Sequence, residues 1–417
     1  MLLAASSLEE LVSGPLGSSL GSSLGSSMGS SAAIVAAAPA PTAVSLGIQT
    51  SQSANDDSSG GPTCPVCGSV GCVAHRDAAG NTFYALSAIP EADFAGASGD
   101  PGGAGPAPAP LADTFKLHSR PSATKVIYLD FDGHTTSGTA WNNGATIVTP
   151  AYSPDGVAGF SNTELSNIQN IWARVVEDFS PFDVDVTTEE PALEDLRKLG
   201  TNDTRWGIRV VIGIDSGSVA PSAGGVAYLT SFNWNSDTPC FVFPERLANY
   251  DNKCIAEATS HEVGHTLGLS HDGRLSPSEG YYGGHGTGAT GWAPIMGVGY
   301  SKALVQWSKG EYASANNKED DLKIITTDNG FGYRADDYGN TTTTAFVPSG
   351  LGLTPTIVAG VVEQSTDVDV FRFSTLNTIK ATILPDSISA NLDVAAELWD
   401  SSGQVIFRKV VSPWVAA

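Results

Sequence analysis

Basic side chains are scarce in this sequence: Lys and Arg number 21 against 44 Asp and Glu, a formal net charge of −23 over 417 residues. Nucleic acid and anionic membrane surfaces would be repelled by such a chain, so neither is expected as a partner. The charge suits a solvated extracellular protein. No run of roughly 18 or more apolar residues occurs, and no membrane-spanning helix is expected. No Lys or Arg precedes Arg76, so the opening Met1-Leu2-Leu3-Ala4-Ala5 lacks the positive n-region of a secretory signal. The expectation is nevertheless a secreted monomer whose true start lies upstream. Methionine occurs only as Met1, Met28 and Met296.

Against these absences stands one dense stretch, His261-Glu262-Val263-Gly264-His265-Thr266-Leu267-Gly268-Leu269-Ser270-His271-Asp272. Histidines at i and i+4 of a helix lie one above the other and can close on a single ion. Ala256, Val263 and Leu267 fall on the opposite face at helical spacing, available to a core. Gly268 sits where the helix needs a residue at positive φ to stop, letting the chain turn back and bring His271 to the same ion. Three neutral imidazoles leave one tetrahedral position open, as catalytic zinc requires. Glu262 projects beside that position, placed to act as base toward a water that bound zinc acidifies to a pKa of about 7.

The pattern HExxHxxGxxH followed by Asp272 resembles the signature of the metzincin zinc endopeptidases, most closely their reprolysin-like branch. The resemblance implies an α+β (α/β-type) catalytic domain with a mixed sheet and an active-site helix. It implies one catalytic Zn2+ on His261, His265 and His271, Glu262 as the catalytic base, and protein or peptide substrates. It also implies a methionine turn beneath the ion, and Ala293-Pro294-Ile295-Met296-Gly297 supplies it with Met296. In some metzincins a tyrosine two positions after that methionine is a further ligand. Here that position is Val298, and the nearby Tyr300 is read as packing.

Five cysteines fall into two groups. Cys240 and Cys254 flank the segment leading into the metal helix, as a disulfide or as two buried thiols. Cys64, Cys67 and Cys72, with His75, have the make-up of a small Cys3His zinc knuckle or a disulfide in a linker. In some metzincin zymogens a pro-region thiolate occupies the open zinc position, so these three are also candidate latency thiols.

Residues 1–115 are poor in charge, carry short Leu-Gly-Ser-Ser repeats and end in a Pro/Gly/Ala run over 100–110. They read as a low-complexity arm or pro-region with a linker or cleavage stretch. The peptidase domain is expected over 116–335. It opens with a strand at 125–131, followed by a helix from Asn162 to Phe179 with a Ser161/Glu164 capping box and a stripe of Leu165, Ile168, Ile171, Trp172, Val175 and Phe179. Strands are expected at 182–186, 208–214, 224–230 and 240–243. In the fold that the chain resembles, an edge strand before the metal helix binds substrate backbone; Val226–Leu229 is the candidate, with an ordinary sheet strand as the alternative. His285 lies in a glycine-rich loop and reads as an exposed histidine rather than a second metal ligand. Glu319-Asp320-Asp321 reads as a helix N-terminal turn; Ca2+ has only this weak patch to suggest it.

From 346 to 417 the alternation changes to that of strands, and the segment resembles the small β-sandwich, pre-peptidase C-terminal-like domains that follow many secreted bacterial peptidases. It is short enough to be a truncated domain. The functional expectation is a zinc endopeptidase; the alternative is a catalytically silent zinc-containing adhesin or scaffold, which the intact Glu262 disfavours.

Overall fold

The structure is a computed structural model that describes residues 74–90, 107–216, 219–220, 222–349, 356–375, 381–392 and 394–411, with the backbone of Ser30–Ala37. Cys64, Cys67 and Cys72 lie outside the described residues. Two compact units emerge, Leu46–Arg334 and a second formed by Met1–Ser45 with Ala335–Ala417. Among the described residues no helix is long and apolar enough to cross a membrane.

In chain order the strands begin with β1 (Ser30–Ala37), β2 (His75–Arg76), β3 (Thr82–Ser87), β4 (Lys125–Asp130), β5 (His134–Thr136) and β6 (Ile147–Thr149). Helix α1 (Asn162–Phe179) precedes β7 (Asp185–Thr187), β8 (Trp206–Ile212), β9 (Ala223–Tyr228) and β10 (Cys240–Val242). Helix α2 (Asn252–Thr266) is followed by β11 (Arg274–Leu275), β12 (Ser278–Glu279), β13 (Trp292–Pro294), β14 (Leu304–Gln306) and helix α3 (Asp321–Asp328). Strands β15 (Val368–Thr375), β16 (Val394–Trp399) and β17 (Val405–Val411) end the described chain.

The larger unit is α+β. Its main sheet has seven strands in the order β2-β3-β9-β10-β8-β4-β7, parallel from β10 through β8 and β4 to β7 and antiparallel from β10 back to β2. The central strands β4, β8 and β9 are buried at every residue, Lys125, Asp130 and Arg209 included, because the sheet is covered on both faces. On one face lie the two long helices, and Ile127, Leu129, Ile168, Ile171, Val175, Val210 and Val263 share one core. On the other, Trp141, Tyr228, Phe241 and Phe243 form a second, aromatic cluster. The α1 capping box is present, with the Ser161 side chain accepting from the Glu164 N–H and the Glu164 side chain accepting from the Ser161 N–H.

Two expectations change, and one left open between two alternatives is decided. Val226–Leu229 is not at an edge, because β3 pairs antiparallel along β9 from Phe83 opposite Tyr228 to Leu86 opposite Gly225. The apolar, aromatic run Thr82-Phe83-Tyr84-Ala85-Leu86 completes hydrogen bonds that an edge strand leaves open. The N-terminal 115 residues are therefore not uniformly an arm: β2 and β3 join this sheet, and β1 joins the other unit. The body itself starts before 116, since the Ala109 N–H donates to Gln169 Oε1 of α1 at 2.9 Å. Finally, Cys240 and Cys254 are two free, buried thiols rather than a disulfide, each filling a place in the main core.

In the smaller unit β15, β1, β16 and β17 form one antiparallel sheet, with β1 between β15 and β16. Asp400 closes the β16–β17 turn by accepting the N–H groups of Ser402 and Gln404 at 2.8 and 3.0 Å. The strand expectation for this region holds at β15, β16 and β17; the insertion of β1 comes from sequence far upstream.

Candidate metal centre

Helix α2 starts at Asp251, whose carboxylate accepts the Cys254 N–H at 2.9 Å. It packs against α1 and against β9 and β10, and every residue but Glu257 is buried. The expected division into a ligand face and a separate core face is thus replaced by burial all round, because sheet and α1 enclose the helix. Two of its polar side chains are met internally: the Ser260 hydroxyl donates to Asp178 of α1 at 2.6 Å, and Lys253 pairs with Glu257 at 2.8 Å.

The helix stops as expected at Gly268, which has φ +107. The Leu269 N–H donates to the Gly264 carbonyl and the Gly268 N–H to the His265 carbonyl, at 3.0 and 2.9 Å, a Schellman pair. This reversal carries the chain through Ser270 back to the helix, and one ring nitrogen from each of His261, His265 and His271 comes within 4.8 Å of the other two, close enough for the three to share an ion. Nε2 of His265 and Nε2 of His271 are 2.8 Å apart.

Backbone carbonyls set the tautomers of the two helical histidines. Nδ1–H of His261 donates to Ile295 O at 2.9 Å and Nδ1–H of His265 donates to Leu269 O at 2.8 Å, since a carbonyl can only accept. Their Nε2 lone pairs therefore point inward, the arrangement that orients an imidazole toward an ion. His261 Nε2 is buried with no hydrogen-bond partner. Burial lowers the pKa of all three, to about 4 for His261 and well below the usual histidine value for His265 and His271, so each is the neutral imidazole a metal requires.

Glu262 is wholly buried beside them, and neither carboxylate oxygen has a hydrogen-bond partner. Burial alone pushes its carboxyl well above the ordinary range. Strand β9 runs close by: a Cβ at Gly225 would stand 2.5 Å from Glu262 Oε1. Met296 is fully buried under α2, where a Cβ at Gly264 would stand 2.4 Å from its Sδ. The Met296 carbonyl accepts the Asp272 N–H at 2.8 Å, tying this turn to the third histidine. No family model matches the chain. No curated protein and no solved structure matches it either.

Residues outside the motif complete the surroundings. The Tyr84 ring stacks on His265 with centroids 4.5 Å apart and meets His271 edge-on at 4.6 Å, while Tyr281 lies 4.5 Å from His271. Tyr281 stood in a glycine-rich loop and could have been flagged by its position between motif and methionine. Tyr84 gave no such signal, because its approach depends on a strand pairing far away in sequence. Tyr300 is buried in the main core, as its packing role required, and His285 is exposed on its loop with Nδ1 3.1 Å from the Tyr282 hydroxyl. Asp320 caps α3 by accepting the Lys323 N–H, and Glu319 accepts the Ser270 N–H at 2.9 Å, so that acidic run has structural partners. In the smaller unit Asp336, Asp367 and Asp369 bring carboxylate oxygens within 4.8 Å of one another.

Proposed function

We propose that the chain is a zinc-dependent endopeptidase of metzincin type that hydrolyses peptide bonds with Glu262 as general base. The observation that carries the reading is the convergence of three neutral, buried imidazoles next to a buried carboxyl group without a partner. An orphaned His261 Nε2 and an orphaned Glu262 are costly in an apolar interior. A divalent ion at His261, His265 and His271 offsets both costs, because it accepts the lone pairs and attracts the carboxylate. The all-nitrogen donor set suits zinc.

Zinc held there supplies Lewis-acid polarisation of a carbonyl and acidifies water. The remaining work belongs to the chain. Nδ1–H bonds to Ile295 and Leu269 keep two imidazoles aimed. Glu262 takes a proton from the attacking water as its oxygen bonds to the peptide carbon, and delivers it to the amine nitrogen as the C–N bond breaks. Met296, buried against Gly264 of the helix, forms an apolar floor that excludes water from below.

The test is Glu262→Ala alongside the wild type, both loaded with zinc and offered a proteome-derived peptide library. The variant is expected to keep about one zinc per chain and lose cleavage by about a hundredfold or more. Absence of stoichiometric zinc in the wild type, or equal cleavage by the two proteins, overturns the reading.

A further inference from the structure

The smaller unit gathers buried acids in one place. Strand β15 begins just after Asp367, and Asp367 and Asp369, two residues apart, fall on the same side of the strand as Phe371. The Tyr338 ring lies on that side, its centroid 4.8 Å from that of Phe371. Asp336 comes shortly before it, on the segment laid along β15, where the Val370 N–H donates to Gly339 O at 3.3 Å. One carboxylate oxygen from each of Asp336, Asp367 and Asp369 lies within 4.8 Å of the other two. Asp337 and Glu363 border them: the Val361 N–H donates to Asp337 Oδ2 and the Glu363 N–H to Asp367 Oδ2, both at 3.0 Å. At Gly360 the backbone passes so near that a Cβ would stand 2.8 Å from Tyr338 Cε2 and 3.1 Å from Asp369 Oδ2. Asp369 is only 2% exposed, yet its Oδ1 has no hydrogen-bond partner. Burial, then Asp337 and Asp367, push its carboxyl up to about 7, and burial, then the contact with Asp367, pushes Glu363 up to about 8.

We propose that Asp336, Asp367 and Asp369, with Asp337 and Glu363 at their border, form a calcium site that fastens the segments around Asp336, Val361 and Asp367 to one another. Gathering like charges in a buried place is costly, because they repel one another and lose their water. A divalent cation among them offsets both costs. Asp369 Oδ1, buried without a donor, is the atom whose cost such an ion removes most directly. The side-chain donors are all oxygens, which selects a hard ion over zinc. Two oxygens on one calcium ion stand at most about 5 Å apart, twice the usual Ca–O distance of about 2.3–2.6 Å, and the spacing of these three fits within that. Magnesium, which asks for about 2.0–2.1 Å in near-octahedral order, is served less well by carboxylates drawn from a loop and a strand. Asp336 is exposed, which opens a path for the ion and room for water ligands. All five acids belong to the smaller unit, so the site is independent of the hydrolase reading.

The experiment takes the full chain, stripped of divalent ions and reloaded with zinc, and titrates calcium chloride by calorimetry at mildly alkaline pH, where the carboxyls ionise. Uptake of about one calcium per chain is expected, with a dissociation constant of roughly 10⁻⁵–10⁻³ M. Asp369→Asn and Asp367→Asn should each weaken binding by about tenfold or more. Hydrogen exchange separates a ligand from a merely structural carboxylate. Calcium should slow exchange at the Val361 and Glu363 amides about tenfold or more in the wild type and leave it unaltered in Asp369→Asn. In the metal-free protein Asp369→Asn, which removes one of the crowded charges, should protect these amides at least as well as the wild type does. No calcium uptake by the wild type, uptake unchanged in Asp369→Asn, or equal slowing by magnesium at the same concentration overturns the proposal.

Discussion

Replacing Gly264 by Ala tests the contact between α2 and the methionine beneath it. The new Cβ would stand 2.4 Å from Met296 Sδ, 3.3 Å from Met296 Cε and 3.3 Å from Trp307 Cζ3. Ordinary packing distances are about 3.5–4.0 Å, so the sulfur must retreat by more than an ångström inside a closed core. Overpacking of this kind costs about 1–3 kcal/mol, while alanine in a helix interior returns about 1 kcal/mol over glycine. The net loss is at most about 2 kcal/mol, or roughly 4–8 °C in melting temperature for a unit of this size. Met296→Ala alone should cost about 2–5 kcal/mol by leaving a cavity. In that background the clash is gone, and Gly264→Ala should change sign to a gain of about 1 kcal/mol. Thermal unfolding of the four proteins, metal-free and zinc-loaded, measures the cycle. If Gly264→Ala costs the same with and without the Met296 side chain, the proposed floor beneath the histidines is wrong.

Other expectations follow from neighbouring details. Gly225→Ala places a Cβ 2.5 Å from Glu262 Oε1 and should cut turnover by about tenfold or more while leaving zinc content unchanged, read by peptide assay and metal analysis. Asp321 is pushed up to about 9 by burial and then by Asp272, so it stays protonated in the fold while the unfolded chain ionises from 3.8 upward. Stability should therefore fall as pH rises through that window; Asp321→Asn, which can keep the 2.9 Å bond from the Ser308 N–H, should flatten the curve and gain about 1–3 kcal/mol at pH 8, and an unchanged pH profile by denaturant titration would refute this. Cys240 and Cys254 should react with a thiol reagent only on unfolding, as followed by mass mapping of the two sites; labelling of either in the folded protein, or failure of both to label in the unfolded, unreduced protein, would refute their assignment as buried free thiols.

Local signals in the sequence mark much of the site. The spacing of His261, His265 and His271 with Gly268 between them defines a helix, its stop and the return of the third ring, all within one short stretch. The same holds for α1, whose capping box and stripe are local. What escaped was non-local. The pairing of β3 with β9 joins Tyr84 to Ala227, and nothing near either residue announces the other. The burial of α2 on all sides was hidden because Ser260, Lys253 and Thr259 look like surface residues until Asp178 and Glu257 are seen to meet the first two. The fate of the two cysteines could not be read from their flanking positions, since a disulfide depends on the mutual direction of Cβ atoms on different elements.

Main-chain oxygens, not side chains, take the Nδ1 protons of His261 and His265. Every residue type carries such an oxygen, so the aim of these rings is written in the path of the chain at Ile295 and Leu269 and not in the chemistry of those two residues. The side chains at Ile295 and Leu269 can then change without turning either ring, so long as the path of the chain is kept. Side-chain identity at those two positions and the orientation of the rings become separable traits, and a lineage or a directed-evolution campaign could vary the first while inheriting the second.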